Sequence, residues 1–222
     1  MAQIFAGLFT EGSTDVRFLE PIIKKALDQI AFECSGQIDI ELTDIKIDKS
    51  GLGFTAQVLS ASKKGIDEFG MTILCVQTDA DNSLLTDTYR NKIFPAILEL
   101  NKQSEDEYCK ILVAIIPIQE TEAWMLADTD LLKREIGTNK TDVEFRLHRP
   151  PETVANPKEV IADAIRIARE DLSQRRRRNL SIADIYGIIG ETIALESLEN
   201  LSSFQDFNRN LRDAFVKLNL LH

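Results

Sequence analysis

The sequence predicts an α/β fold: a mainly parallel sheet covered by helices on both faces, followed by a helical C-terminal extension. Short apolar segments alternate with helix-period segments through the first half of the chain, and that alternation is the mark of βαβ units. After Glu120 no further convincing strand occurs, and the rest reads as helices with clear start signals. The predicted division is an α/β domain over 1–128 and a helical extension over 129–222 packed on it.

Gln3 to Phe9 is a short apolar strand, and Val16, Leu19, Ile23, Ala26 and Ile30 then recur at helical spacing. Pro21 falls inside that helix, which must kink there or start later, because proline removes an interior hydrogen bond. A second strand is expected around Ile38 to Ile47, and a turn at Gly51 and Gly53 leads to a helix over Thr55 to Phe69. A strongly apolar strand, Met71 to Gln77, is followed by the polar turn TDADNS, a helix near Thr86 to Asn101, and the strand Ile111 to Ile116 closed by Pro117.

In the extension, Asn156, Pro157 and Glu159 supply an N-cap, a first-position proline and a capping-box acid ahead of Val160, Ile161, Ala164, Ile165 and Ala168. Ser181 with Asp184 is a weaker box of the same kind. Phe204, Phe207, Leu211, Phe215 and Leu218 form one stripe, read as a face packed on the sheet domain.

Composition narrows the function classes. The 222 residues carry 26 Lys and Arg against 36 Asp and Glu, a net charge of −10, with 44% hydrophobic and 28% charged residues. Those proportions suit a folded globular domain and exclude collagen-like, coiled-coil and disordered classes. There is no run of about 18 apolar residues and no basic, apolar leader at the N-terminus, so the expectation is a cytoplasmic protein with no membrane partner. Cys34, Cys75 and Cys109 show no metal or redox spacing and are expected to be small core hydrophobes. His148 and His222 are the only histidines, too few for a zinc site or a Ser/His/Asp triad, so any chemistry must rest on carboxylates.

The acids fall where a doubly wound sheet places its ligands, just past strand C-termini: Glu11 after the first strand, Asp79 and Asp81 after the third, Glu120 and Glu122 after the fourth. Converging carboxylates repel and raise one another's pKa unless a cation joins them. Hard oxygen donors of this kind suit Mg²⁺ or Mn²⁺. Each group also has a plain structural reading. Glu11 to Asp15 can be a turn into a helix N-terminus, TDADN a polar turn, and Glu120 and Glu122 first-turn acids of the helix carrying Trp124.

With these residues in view, GLFTEGSTDVRFL resembles the apolar strand and EGxxD motif of TOPRIM domains, and ILCVQTDAD resembles their strand and DxD motif. IPIQETEAWMLAD, the NPKE helix and SFQDFNRNL are similar to a bacterial TOPRIM-like family labelled as a domain of unknown function, distantly related to the overcoming-lysogenization-defect nucleases. The resemblance spans most of the chain. It implies that Glu11 is a metal ligand or general acid/base and that Asp79 and Asp81 bind the divalent ion. Glu122, and behind it Glu120, would be further acidic ligands, with Asp15 beside them and Gly12 allowing a tight turn. The implied activity is metal-dependent phosphodiester hydrolysis of DNA or RNA, in prokaryotic antiviral defence and alongside a separately encoded ATPase.

The chain departs from other TOPRIM branches in lacking the further domains of a topoisomerase and the cysteine cluster of a primase. A basic catalytic residue is not evident; Lys63, Lys64 and Arg90 are candidates between which spacing does not choose. Arg175, Arg176, Arg177 and Arg178 form the one strong basic run, either a nucleic-acid or partner contact or a solvated stretch. Two other functions fit parts of the sequence: a catalytically silent metal-binding interaction module, and a haloacid-dehalogenase-like phosphatase using DxDxS as its nucleophile loop.

Overall fold

The computed structural model describes residues 2–81, 83–145, 147–170 and 180–221. Within them one four-stranded, all-parallel sheet is formed by β1 (Ala2–Phe9), β2 (Ile38–Asp44), β3 (Ile73–Gln77) and β4 (Leu112–Ile115), in the order β2-β1-β3-β4. The α/β fold with a helical C-terminal segment is therefore observed as expected.

Side-chain alternation divides the sheet between two apolar layers. Ile4, Ala6 and Leu8 of β1, Ile73 and Cys75 of β3, and Val113 and Ile115 of β4 face helix α1 (Val16–Glu33) and the C-terminal helices. Leu74, Val76 and Ala114 face the other way, onto helix α2 (Phe54–Phe69) and the segment between β3 and β4. Burial on both faces is why β1, β3 and β4 read as near-continuous apolar runs, whereas the edge strand β2 alternates, with Asp39 and Glu41 exposed on either side of the buried Ile40.

Helix α1 starts at Val16 and runs through Pro21. Leu19, Ile22 and Ile23 around the proline are all fully buried, and their burial outweighs the roughly 3 kcal/mol that an interior proline costs. β3 begins two residues later than expected. Met71 instead fills the space between β1 and α2: a Cβ on Gly7 would lie 2.2 Å from its Sδ, and one on Gly65 2.2 Å from its Cε.

The expected helix near Thr86 to Asn101 is three pieces in succession: α3 (Leu85–Thr88), a π-helical turn (Tyr89–Ile93) and α4 (Phe94–Asn101). The wide turn lies immediately before Pro95, whose ring would press on the carbonyl four residues back in a regular α-helix.

Beyond β4 come α5 (Glu122–Met125), α6 (Thr129–Ile136), α7 (Asp142–Phe145), α8 (Pro157–Ala168), α9 (Ile182–Thr192), α10 (Leu195–Leu198) and α11 (Ser202–Lys217). Phe204, Phe207, Leu211 and Phe215 of α11 are fully buried against the β4 side of the sheet, and Leu218 is partly buried. Trp124 of α5 packs edge-on to Phe204 at 5.3 Å, and its Nε1 donates to Ser203 Oγ at 2.8 Å. A single apolar core thus joins the sheet to the C-terminal helices.

Of the two capping boxes, the weaker one by sequence is the one that forms. The Asp184 carboxylate accepts the Ser181 backbone N–H at 2.8 Å. Asn156 occupies the N-cap of α8, but its side chain donates to Glu159 instead of accepting from the helix backbone. Among the cysteines, Cys75 and Cys109 are buried core residues, Cys34 is half-buried, and all three are free.

Candidate functional site

The strand order changes direction at β1, with β2 on one side and β3 on the other. At such a switch point, the loops leaving the carboxyl ends of the neighbouring strands part and leave a crevice. A cleft of ≈ 280 Å³ opens there, lined by Glu11, Gly12, Thr14 and Asp15 after β1, Asp79 and Asp81 after β3, Glu120 and Glu122 after β4, and Lys158 from α8. Every carboxylate singled out in the sequence lines this one cleft.

One buried side chain ties the loops together. Gln77, the last residue of β3, is fully buried; its Oε1 accepts the Glu11 backbone N–H at 3.0 Å and its Nε2 donates to Asp79 Oδ1 at 2.9 Å. The same Nε2 lies 3.2 Å from Thr121 Oγ1, and that hydroxyl in turn donates to Asp79 Oδ1 at 3.2 Å. The loops after β1, β3 and β4 are therefore set in register by one amide.

Glu11 is held from its other side. Thr78 Oγ1 donates to Glu11 Oε2 at 2.6 Å, and Lys92 Nζ lies 3.2 Å from the same oxygen and 2.8 Å from Thr78 Oγ1. Lys92 comes from the π-helical turn ahead of Pro95. Glu122 is buried, accepts a hydrogen bond from the equally buried Tyr186 hydroxyl of α9, and pairs with Lys158 Nζ at 3.3 Å. Glu120 Oε2 accepts the Lys158 backbone N–H at 3.4 Å, which fixes the start of α8 at the rim.

Asp15 does not cap α1; its carboxylate is buried at the cleft. A Cβ on Gly12 would lie 2.5 Å from Asp15 Oδ2, so a larger residue there would displace the Asp15 carboxylate; the glycine does not have a positive φ. Of the three described non-glycine residues with positive φ, two, Asp81 (52°) and Gln119 (68°), face each other in an isolated bridge with Asp81 N–H on Gln119 O at 2.9 Å. Strained backbone paired across two loops at a cleft is a feature of sites whose side chains must be aimed.

The electrostatics follow from burial and crowding. Asp79 is pushed up to about 7, first by burial and then by the charges of Asp15 and Glu122, with the Thr121 hydrogen bond opposing. Asp15 is pushed up to about 6 by burial and by Glu122. Glu120 is raised in the same sense, by burial and Glu122. The Tyr186 hydroxyl is raised by burial and its bond to Glu122, and the Glu122 charge raises Lys158. The negative charge in the cleft exceeds what its lysines neutralise.

Among the described residues no group of three or more His, Cys, Asp or Glu side chains stands ready to grip a metal ion. Glu11, Asp79 and Glu122 are each turned toward their own donors: Thr78 and Lys92, Gln77 and Thr121, Tyr186 and Lys158. The donor set nevertheless fits a hard divalent cation, because it is all oxygen and two of its carboxyls hold protons well above their ordinary range. An ion would replace those protons.

None of the basic candidates lines the cleft. Lys63 pairs with Glu107 and Asp67, Lys64 with Glu68, and Arg90 with Asp87. Lys158 is the cation that lines it, and Lys92 reaches Glu11 Oε2 from outside the lining. The available signal for Lys158 was a cation in the first turn of a helix, where acids are favoured; for Gln77 it was a polar residue ending an otherwise apolar strand. Nothing local marked Tyr186. Arg175, Arg176, Arg177 and Arg178 lie outside the described residues. No helix among the described residues is long and apolar enough to cross a membrane.

The family model "Domain of unknown function (DUF4276)" matches residues 10–212, and the chain belongs to that family. Comparison with curated proteins and with solved structures gives no match.

Proposed function

We propose that this chain is a divalent-metal-dependent phosphodiesterase of the TOPRIM type, cutting DNA or RNA in the cytoplasm. One observation carries the proposal: the acids of the EGxxD-like and DxD-like segments and of the Glu120–Glu122 loop line a single cleft at the switch point of a parallel sheet. The likeness of GLFTEGSTDVRFL and ILCVQTDAD to TOPRIM motifs, and the distant relation to the overcoming-lysogenization-defect nucleases, favour the same activity. So does the excess negative charge, which calls for a cation.

Glu11, Asp79 and Asp81 would hold Mg²⁺ or Mn²⁺, with Glu122 and Glu120 as further ligands. The bound ion would supply polarisation of a phosphodiester oxygen and a lowered pKa for water at the site. The chain's own groups do the rest. Gln77 and Thr121 orient Asp79, Thr78 and Lys92 orient Glu11, and the Lys158 ammonium faces the cleft where negative charge grows on the phosphoryl oxygens. Asp15, raised to about 6 and not among the groups assigned to the ion, is the carboxyl suited to exchange a proton.

A role in prokaryotic antiviral defence, with a separately encoded ATPase as partner, accompanies this proposal through the resemblance alone. The test is cleavage of labelled DNA and RNA in Mg²⁺ or Mn²⁺ by the wild type and by Asp79→Asn. Cleavage that falls by on the order of 10² or more in the variant supports the proposal. Cleavage untouched by the substitution, or turnover of phosphomonoesters with none of diesters, overturns it.

A further inference from the structure

A second cavity, ≈ 610 Å³, lies on the other side of the loop that carries Glu11. Thr10 and Ser13 of that loop line it, together with Arg17 at the start of α1, Asp44 at the end of β2, and Lys46 and Lys49 beyond it. Its charge is opposite to that of the cleft: three cations against one carboxylate, on a chain whose net charge is −10. The two are joined through Lys49, whose Nζ donates to Thr10 O at 2.7 Å and Glu11 O at 3.0 Å, and so rests against the backbone of the acid loop from behind.

The cations are not consumed by ion pairs. Lys46 makes only a loose pair with Asp44, 3.5 Å, with its side chain 85% exposed. The Arg17 guanidinium reaches Ala183 O at 3.4 Å through one nitrogen, leaving most of its donors free to bind. Two of the three Lys49 protons are used.

We infer that this cavity is a phosphate subsite, which takes a phosphodiester of the polynucleotide strand flanking the one held in the carboxylate cleft. The inference rests on the phosphodiesterase proposal and deepens it. An acidic cleft alone repels a polyanion, and a cationic cavity sharing a wall with it gives the strand somewhere to anchor. The substrate is then a strand of several nucleotides that crosses the loop Thr10–Asp15, not a mononucleotide or a small phosphomonoester.

The experiment is fluorescence anisotropy of a short 5′-fluorescein oligothymidylate, titrated with the full chain in Ca²⁺ at several salt concentrations. Lys46→Glu and Lys46→Ala are the variants, because Lys46 is exposed and its loss leaves the fold intact. Lys102→Glu, at the opposite end of the sheet, matches the change in net charge. The expected result is binding that weakens on the order of tenfold in Lys46→Glu and not in Lys102→Glu, with the salt slope of Lys46→Ala reduced by about 0.7.

Equal weakening by both charge reversals, no change in either, or no binding by the wild type overturns the subsite. Displacement by adenosine 5′-monophosphate as effective as by unlabelled strand assigns the cavity to a free nucleotide and likewise overturns it. The two proposals fail separately. Lys46-dependent binding without any cleavage leaves the subsite standing and removes the nuclease, while Asp79-dependent cleavage with Lys46-independent binding does the reverse.

Discussion

Gln77 Nε2 donates to Asp79 Oδ1 at 2.9 Å from a side chain with no solvent exposure, while its Oε1 holds the Glu11 backbone N–H. The two acids that the sequence places in separate motifs are thus positioned by the same amide. Gln77→Leu keeps the volume and removes all three contacts, leaving the Glu11 N–H, the Asp79 carboxylate and the Thr121 hydroxyl without that partner. The expected cost is about 1–3 kcal/mol in urea unfolding, with a weaker response to Mn²⁺. Gln77→Glu is expected to be worse, since it adds a charge to a cluster already short of cations. Unchanged unfolding in Gln77→Leu would show that the loops are held without it.

Lys158 and Tyr186 reach Glu122 from two different helices, and both contacts fall on Oε1. Removing either leaves a buried carboxylate with fewer partners, and removing both leaves it with neither. In a double-mutant cycle, Lys158→Ala and Tyr186→Phe are therefore expected to be non-additive, with a coupling on the order of 0.5 kcal/mol or more. Lys158→Ala is also expected to depress phosphodiester turnover more than Tyr186→Phe does, because only the lysine lines the cleft. Additive effects on stability would mean that the two groups do not share Glu122.

Helix α9 makes a close crossing with α1, and two of its glycines separate the causes. A Cβ on Gly190 would lie 2.4 Å from the Phe18 backbone oxygen, an atom with no rotamer by which to yield. A Cβ on Gly187 would meet nothing within 4 Å. Gly190→Ala is expected to destabilise by at least ~1–3 kcal/mol, and Gly187→Ala to stabilise by a few tenths up to ~1 kcal/mol. The same crossing carries Lys25 Nζ, which donates to the carbonyls of Gly190, Glu191 and Ile193, so Gly190→Ala should also loosen that end of α9. Thermal unfolding of the pair checks both signs.

The fold was legible because the inner strands are buried on both faces and bounded by polar turns, so runs such as Ile73–Gln77 stand out from their surroundings. The acids were legible for a related reason, since a parallel sheet gathers at one edge everything that follows a strand. What orients those acids was not legible. Lys92 depends on a π turn that Pro95 imposes, Lys158 on how α8 docks, and Tyr186 on a helix crossing far along the chain. The capping boxes show the same limit: NPKE is the stronger pattern, yet its Asn156 is drawn to Glu159 and SIAD forms the box. Local patterns rank possibilities, and long-range packing chooses among them.

The raised pKa values of Asp79, about 7, and Asp15, about 6, make a test of the cleft that requires no substrate. Both lie above the ordinary value of 3.8, so between the two values the folded chain holds protons that the unfolded chain has released. Their contribution to stability is complete below the unfolded value and is lost as pH rises through about 6 to about 7. The metal-free protein is expected to melt several degrees lower at about pH 8 than at about pH 5.5, and Asp79→Asn to flatten most of that slope. A divalent ion competes with the same protons. A Mn²⁺ concentration of ~100 times the dissociation constant at about pH 8 should stabilise by ~2.7 kcal/mol there, and the same concentration by much less at about pH 5.5, where protons weaken its binding. A melting temperature that rises with pH across this window in the absence of metal would mean that the carboxylates are not crowded. Stabilisation by Mn²⁺ that Asp79→Asn leaves intact would place the ion elsewhere.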